Sequence, residues 1–184
     1  SLTHRSFTVS PSGAVWSAAR QRRAAGSGGA VVAVAGPGLA AADAEAVAVA
    51  GAHGAQADAI VLRSHEADVA AVLASLEGAG LAHLATHGRF RADNPQFSSL
   101  LLADGPLYVH DLEQLRQAPR TVVLSACDAG QSGDAGGELL GLLAALFDIG
   151  TVAAVASVVP VPDVATGAFM ACVHEHLAAG EAVA

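Results

Sequence analysis

The chain has 184 residues, a formal net charge of -8 and a pI near 5.3. Hydrophobic residues make up 53% and charged residues 14%, which excludes the disordered class and suits one domain able to bury roughly two thirds of the surface its unfolded form exposes. The acidic balance is the reverse of the basic footprint that neutralises phosphates, so it argues against nucleic-acid binding.

The chain opens on Ser1-Leu2-Thr3-His4-Arg5 without an apolar leader. No run reaches the roughly 18 uninterrupted apolar residues of a membrane span, so a soluble, cytoplasmic protein without a membrane partner is expected. Two cysteines, Cys127 and Cys172, form no cluster of the kind that staples secreted domains or builds a zinc site, which implies a reducing compartment. Residues 1–29, with Trp16 as the only large anchor and a Gly-rich end, read as an N-terminal edge segment or linker. Residues 30–184 read as the domain itself. The missing Met and the apolar stub after Gly180 predict a piece of a longer protein.

In chain order, the apolar runs Ala30 to Ala35, Ala59 to Leu62, Leu81 to Thr86, Thr121 to Ala126 and Val152 to Ser157 have the length and composition of strands buried on both faces. Helix-period segments alternate with them: Asp43 to Ala52, His65 to Glu77 with Ser64 as N-cap, Asp111 to Gln117, Glu138 to Asp148 and Asp163 to Ala179. The rhythm predicts an α/β fold with a mostly parallel open sheet covered on both faces. Two segments break it directly after a strand, Gly88 to Pro95 and the Gly-rich Asp128 to Gly137, and such loops carry function more often than the scaffold does.

Ligand crevices of open parallel sheets lie beyond the carboxyl ends of the strands. The third run ends in His87-Gly88 and the fourth in Cys127. If these strands are neighbours, about 4.8 Å apart, an imidazole and a thiol share one rim. A nearby His can take the proton of a thiol whose ordinary pKa is about 8.5 and stabilise the thiolate as an ion pair. Gly88, without a Cβ, and the Cys127 amide suit an oxyanion hole. Taken singly, His87 also reads as a satisfied polar residue and Cys127 as a small buried hydrophobe.

The segments Ala85-Thr86-His87-Gly88, Asn94-Pro95, Ser98-Ser99-Leu100-Leu101-Leu102 and Val122 to Gly130, continuing through Gly137-Glu138 and Ile149-Gly150 to Ser157 to Asp163, resemble the CHAT family in order and spacing. This is a caspase-like domain associated with TPR repeats. The resemblance covers roughly residues 30 to 180 and implies a three-layer α/β/α caspase-like fold. It further implies a His-Cys dyad that hydrolyses peptide bonds of a protein substrate through a thioester acyl-enzyme. By that likeness His87 is the general base and acid, Cys127 the nucleophile, and the amides of Gly88 and Cys127 the oxyanion hole. No cofactor and no metal are expected. Asp163, 36 residues after Cys127, stands where the similar separases carry an acidic residue selecting Arg or Lys at P1; it reads equally as an N-cap. Many relatives have a Leu-Trp pair where this chain has Val158-Val159, which makes the substrate wall less aromatic. A TPR or other regulatory region is expected in the full-length protein.

Other readings compete. A latent or non-catalytic CHAT interaction module would keep the fold and await a partner to order its loops. A NAD(P)-binding domain would use Gly36-Pro37-Gly38-Leu39-Ala40-Ala41, a Gly-x-Gly-x-x-Ala run after the first strand, with Arg63 for a 2′-phosphate; it leaves His87 and Cys127 unexplained. His83 and His87 span roughly 13 Å in a strand and cannot chelate one ion. His174 and His176, two apart on a predicted helix, diverge and read as solvent-exposed, while Cys172 reads as core packing beside Phe169 and Val173.

Overall fold

The computed structural model of the chain describes residues 10, 12–24, 28–54, 58–89, 91, 94–125, 135–156 and 163–181. The elements in order are α1 (Gly13–Ala24), β1 (Val31–Ala35), α2 (Ala42–His53), β2 (Ala59–Leu62), α3 (Val69–Leu76), β3 (Leu81–Ala85), β4 (Gly88–Arg89), β5 (Ser99–Leu102), β6 (Gly105–Tyr108), α4 (Val109–Leu112), β7 (Thr121–Leu124), α5 (Ala135–Asp148), β8 (Ala153–Ala156) and α6 (Asp163–Ala178). Five strands pair in parallel in the order β2-β1-β3-β7-β8, and β4, β5 and β6 form a small antiparallel sheet.

The period of two along each strand builds two cores. Val32, Val34, Ala82, Leu84, Val122 and Leu124 face one layer, where they pack with Val72 and Leu76 of α3, Leu100 and Leu107 of the small sheet, and Leu142 and Leu146 of α5. Ala33, Ala35 and Ala85 face the other with Ala42, Ala46 and Val49 of α2, and α6 packs against α2 on that side. The result is a three-layer α/β/α molecule of the caspase-like kind, with an all-parallel central sheet. Each fully buried Val or Leu contributes about 1.5–3 kcal/mol, so the larger first core carries most of the apolar stabilisation. Among the described residues no helix is long and apolar enough to cross a membrane.

The structure corrects several expected boundaries. Ser64 does not cap α3: its N–H and hydroxyl donate to Asp43 at 2.8 and 3.2 Å, and Asp68 is the cap, accepting from the Ala71 N–H at 2.7 Å. The third predicted helix shrinks to the single turn of α4. The Gly-rich stretch after Cys127 ends in helix, since α5 begins at Ala135. Residues 13–24 form a helix that meets α5, where Arg22 Nη1 donates to the Phe147 carbonyl at 3.0 Å.

From β1 the chain steps outward to β2, then returns past β1 to β3 and continues the other way. The gap between β1 and β3 is therefore the topological switch point, where open α/β sheets form their crevice at the carboxyl ends of the strands.

Candidate active site

At the switch point β1 and β3 run level, Ala35 beside Ala85, and the Gly36 N–H donates to the Ala85 carbonyl at 2.7 Å. The segments leaving the two strands, Gly36-Pro37-Gly38 and Thr86-His87-Gly88, thus lie side by side. A Cβ on Gly36 would overlap Oγ1 and Cβ of Thr86 and come within 2.9 Å of the Leu101 carbonyl oxygen. Gly38 has φ +83, and a Cβ there would lie 3.3 Å from His87 Nε2 and 3.6 Å from its Cδ2. Both glycines are explained by what they face: they leave room for Thr86 and the His87 imidazole. The Gly-x-Gly-x-x-Ala run thus has a packing role beside the histidine.

The backbone of His87 is clamped from the other side by Leu101 of β5. The Leu101 N–H donates to the His87 carbonyl at 2.8 Å, and the buried Thr86 hydroxyl donates to the Leu101 carbonyl. The imidazole itself is partly exposed. Gly88 is opposite Leu100 in the β4–β5 ladder. Because the bond to His87 O comes from the residue after Leu100, this is a non-hydrogen-bonded pair, so the Gly88 N–H points away from β5. An amide in that position makes no hydrogen bond within the ladder.

β7 lies on the far side of β3, with Leu81 beside Thr121 and Leu84 beside Leu124. The pairing extends to Ser125, a buried residue whose N–H donates to the Leu84 carbonyl at 3.0 Å. Cys127 and Asp128 lie outside the described residues, and so does Val158-Val159. Asp163 is the first residue of α6, seven positions beyond the last residue of β8, Ala156. Its side chain is likewise outside the described residues.

The remaining candidates change character. His83 is fully buried on the α2 and α6 side of the sheet, 3.0 Å from Glu45 Oε1. His174 is also fully buried, contrary to the solvent position expected for it, while His176, two residues on and on the opposite side of α6, is exposed. The His176 Nδ1 lies 3.0 Å from Glu181 Oε1, and that hydrogen bond and charge raise its pKa. Cys172 is exposed, not core, and its neighbour Phe169 is 60% exposed, because α6 turns the His174 face toward the sheet. Among the described residues no group of three or more His, Cys, Asp or Glu is arranged to hold a metal ion.

The sequence reading missed the small sheet that clamps His87. Asp104-Gly105, at the turn where Leu102 of β5 pairs with Gly105 of β6, was its available signal, since an Asp-Gly pair between short runs of strand length marks a hairpin turn.

No curated protein matches the chain. The CHAT domain model matches residues 1–184. The whole chain therefore belongs to the CHAT domain family, whose caspase-like fold the parallel sheet and its helical layers display.

Proposed function

We propose that the domain is a cysteine endopeptidase in which His87 and Cys127 form the dyad. The carrying observation is the register of β3 and β7. Leu81 pairs with Thr121 and Leu84 with Leu124, an offset of 40 residues, and Cys127 follows His87 by the same 40. Support also comes from the switch-point setting of His87, its partial exposure, and a Gly88 amide turned away from the ladder.

In this reading His87 takes the Cys127 thiol proton, and the thiolate attacks the carbonyl carbon of a peptide bond. The amides of Gly88 and Cys127 hold the oxyanion, each worth roughly 3–4 kcal/mol. His87 then protonates the departing amine, leaving a thioester. Next it removes a proton from water, which attacks the thioester and releases the acid. The substrate is a protein or peptide in a reducing compartment, delivered by a TPR or other regulatory region. Asp163, at the start of α6, favours Arg or Lys at P1.

Labelling with an Arg-acyloxymethyl ketone tests the dyad. The parent and Cys172→Ala should be labelled, Cys127→Ala should not, and His87→Ala should slow labelling by about 10²-fold or more. Cys172 is an exposed competing thiol. Labelling that survives Cys127→Ala but disappears with Cys172→Ala overturns the assignment.

A further inference from the structure

On the face of the sheet covered by α2 and α6, four titratable side chains stand in a line. Glu45 Oε1 is 3.0 Å from His83 Nε2, His83 Nδ1 is 3.1 Å from His174 Nε2, and His174 Nδ1 is 3.0 Å from His53 Nε2. Glu45 is 4% exposed, His83 and His174 not at all, and His53, at 9%, is the outer end. Consecutive imidazoles meet edge to face, with centroids 4.9 and 5.3 Å apart. Three hydrogen bonds thereby tie α2 and α6 to the central strand β3.

The spacing excludes a bridging ion. Two imidazole nitrogens bound to one zinc at about 2.0–2.1 Å stand roughly 3.3 Å or more apart in a tetrahedral site, whereas these pairs are 3.0 and 3.1 Å apart. Each gap holds a proton.

Proton counting then fixes what the line tolerates. Three neutral histidines supply three N–H donors for three contacts, and with Glu45 as a carboxylate all point one way: His53 to His174 to His83 to Glu45. Of the six ring nitrogens, only His53 Nδ1 lies outside the contacts. One further proton can enter there, and relaying each bridging proton toward Glu45 leaves an imidazolium on His83 against the carboxylate, with every contact intact. A second proton has no such place. It either sets two N–H groups against each other or neutralises Glu45 and strands a buried imidazolium without its counter-charge.

We propose that the Glu45-His83-His174-His53 line is an acid-operated latch that holds α6 on α2 and β3 at neutral pH and releases α6 when the medium acidifies. Burial first, then the neighbouring His83 and His53, pushes the His174 pKa down to about 3, and burial lowers that of His53. The other groups on the packed elements do not compete. β1 presents Ala33 and Ala35, the partner of His83 on β7 is Val123, Asp43 of α2 accepts from Ser64, and Cys172, Glu175 and His176 of α6 are exposed.

The sign follows from linkage. A base kept neutral by the fold contributes fully above the unfolded pKa of about 6.5 and loses that contribution as pH falls below it. Once α6 opens, three histidines can bind nearly three protons at low pH, against one in the closed line. The opening constant should therefore climb toward a hundredfold per pH unit.

Hydrogen exchange of the full chain at pH 7.5, 6.5 and 5.5, corrected for intrinsic rates, reads this directly. The α6 opening constant should rise at least about tenfold between pH 6.5 and 5.5 and should exceed that of β1 at every pH, since global unfolding, which exposes β1, frees the same histidines and must steepen likewise. His176→Gln, on the same helix but exposed, should keep the full response. His174→Leu, which removes the middle link, should flatten it. A smaller rise in the parent, an α6 opening constant no larger than that of β1, a flattened response in His176→Gln, or a full response retained in His174→Leu each overturns the latch, and the parent measurement decides even if His174→Leu does not fold.

Discussion

Gly36→Ala is the sharpest test of how the rim is built. The added methyl would overlap Thr86 Oγ1 and Cβ and approach the Leu101 carbonyl oxygen to 2.9 Å. Rotation of Thr86 cannot clear its own Cβ, and Leu101 is held by the β5 backbone, so the ends of β1 and β3 must part. Overpacking of this kind costs about 1–3 kcal/mol. Losing the Thr86 hydroxyl's bond to Leu101 adds about 1 kcal/mol, for a total of about 2–4 kcal/mol. With a urea dependence of about 2 kcal/mol per molar, the midpoint should fall by about 1–2 M. Thr86→Gly removes the two nearer obstructing atoms and leaves only the Leu101 carbonyl oxygen at 2.9 Å, so in that background the same alanine should cost at least about 1 kcal/mol less, a coupling of about 1–3 kcal/mol. A midpoint shift below about 0.3 M, or strictly additive costs, would refute the account of why glycine stands there.

Three further outcomes follow from the same geometry. Gly38→Ala, at φ +83 and against the His87 ring, should lose about 1–2 kcal/mol and slow ketone labelling in a Cys172→Ala background by at least about threefold, a full 1 Å displacement being worth roughly 10²-fold. Thr86→Val keeps the shape but removes the donor to Leu101, and denaturation should show a loss of about 0.5–1.5 kcal/mol from the hydrogen bond removed. Glu181→Gln should return the His176 pKa toward its ordinary value in an NMR titration, since the Glu181 hydrogen bond is its largest cause. The pair's contribution is present below about pH 6.5 and is lost as pH rises through the raised value. Because His176 is fully exposed, unfolding curves should not register the change.

The five parallel strands were legible because each is a short, almost wholly apolar run, although only the central strands are buried on both faces and the edge strand β2 leaves Ala59 and Ile60 exposed. The rim position of His87 followed from the same runs, since it is the first polar residue after Thr86. The Asp68 cap was harder to read, as Ser64 and Asp68 both precede the helix and only the tertiary bond to Asp43 takes Ser64 away from it. The fate of α6 was not legible from its own residues. His174 and His176 must face opposite ways, but which one faces inward depends on the partner waiting on the sheet. That partner left a trace: an imidazole inside Leu81-Ala82-His83-Leu84-Ala85 cannot be buried without a hydrogen-bonding group opposite. Glu45, set among alanines and Val49 on α2, has the same need.

The two histidines of the β3 segment show why residue type alone does not assign a role. They are four positions apart, roughly 13 Å in an extended strand, and by strand alternation start toward the same layer. His83 sits in the ladder, fully dry, with both ring nitrogens occupied by Glu45 and His174. It can exchange a proton only along that line, so it serves the packing of α2 and α6. His87 sits just past the last ladder pair, where Gly38 leaves its ring room and solvent reaches it. Proton exchange with an incoming molecule needs that opening, and in this strand only the rim provides it.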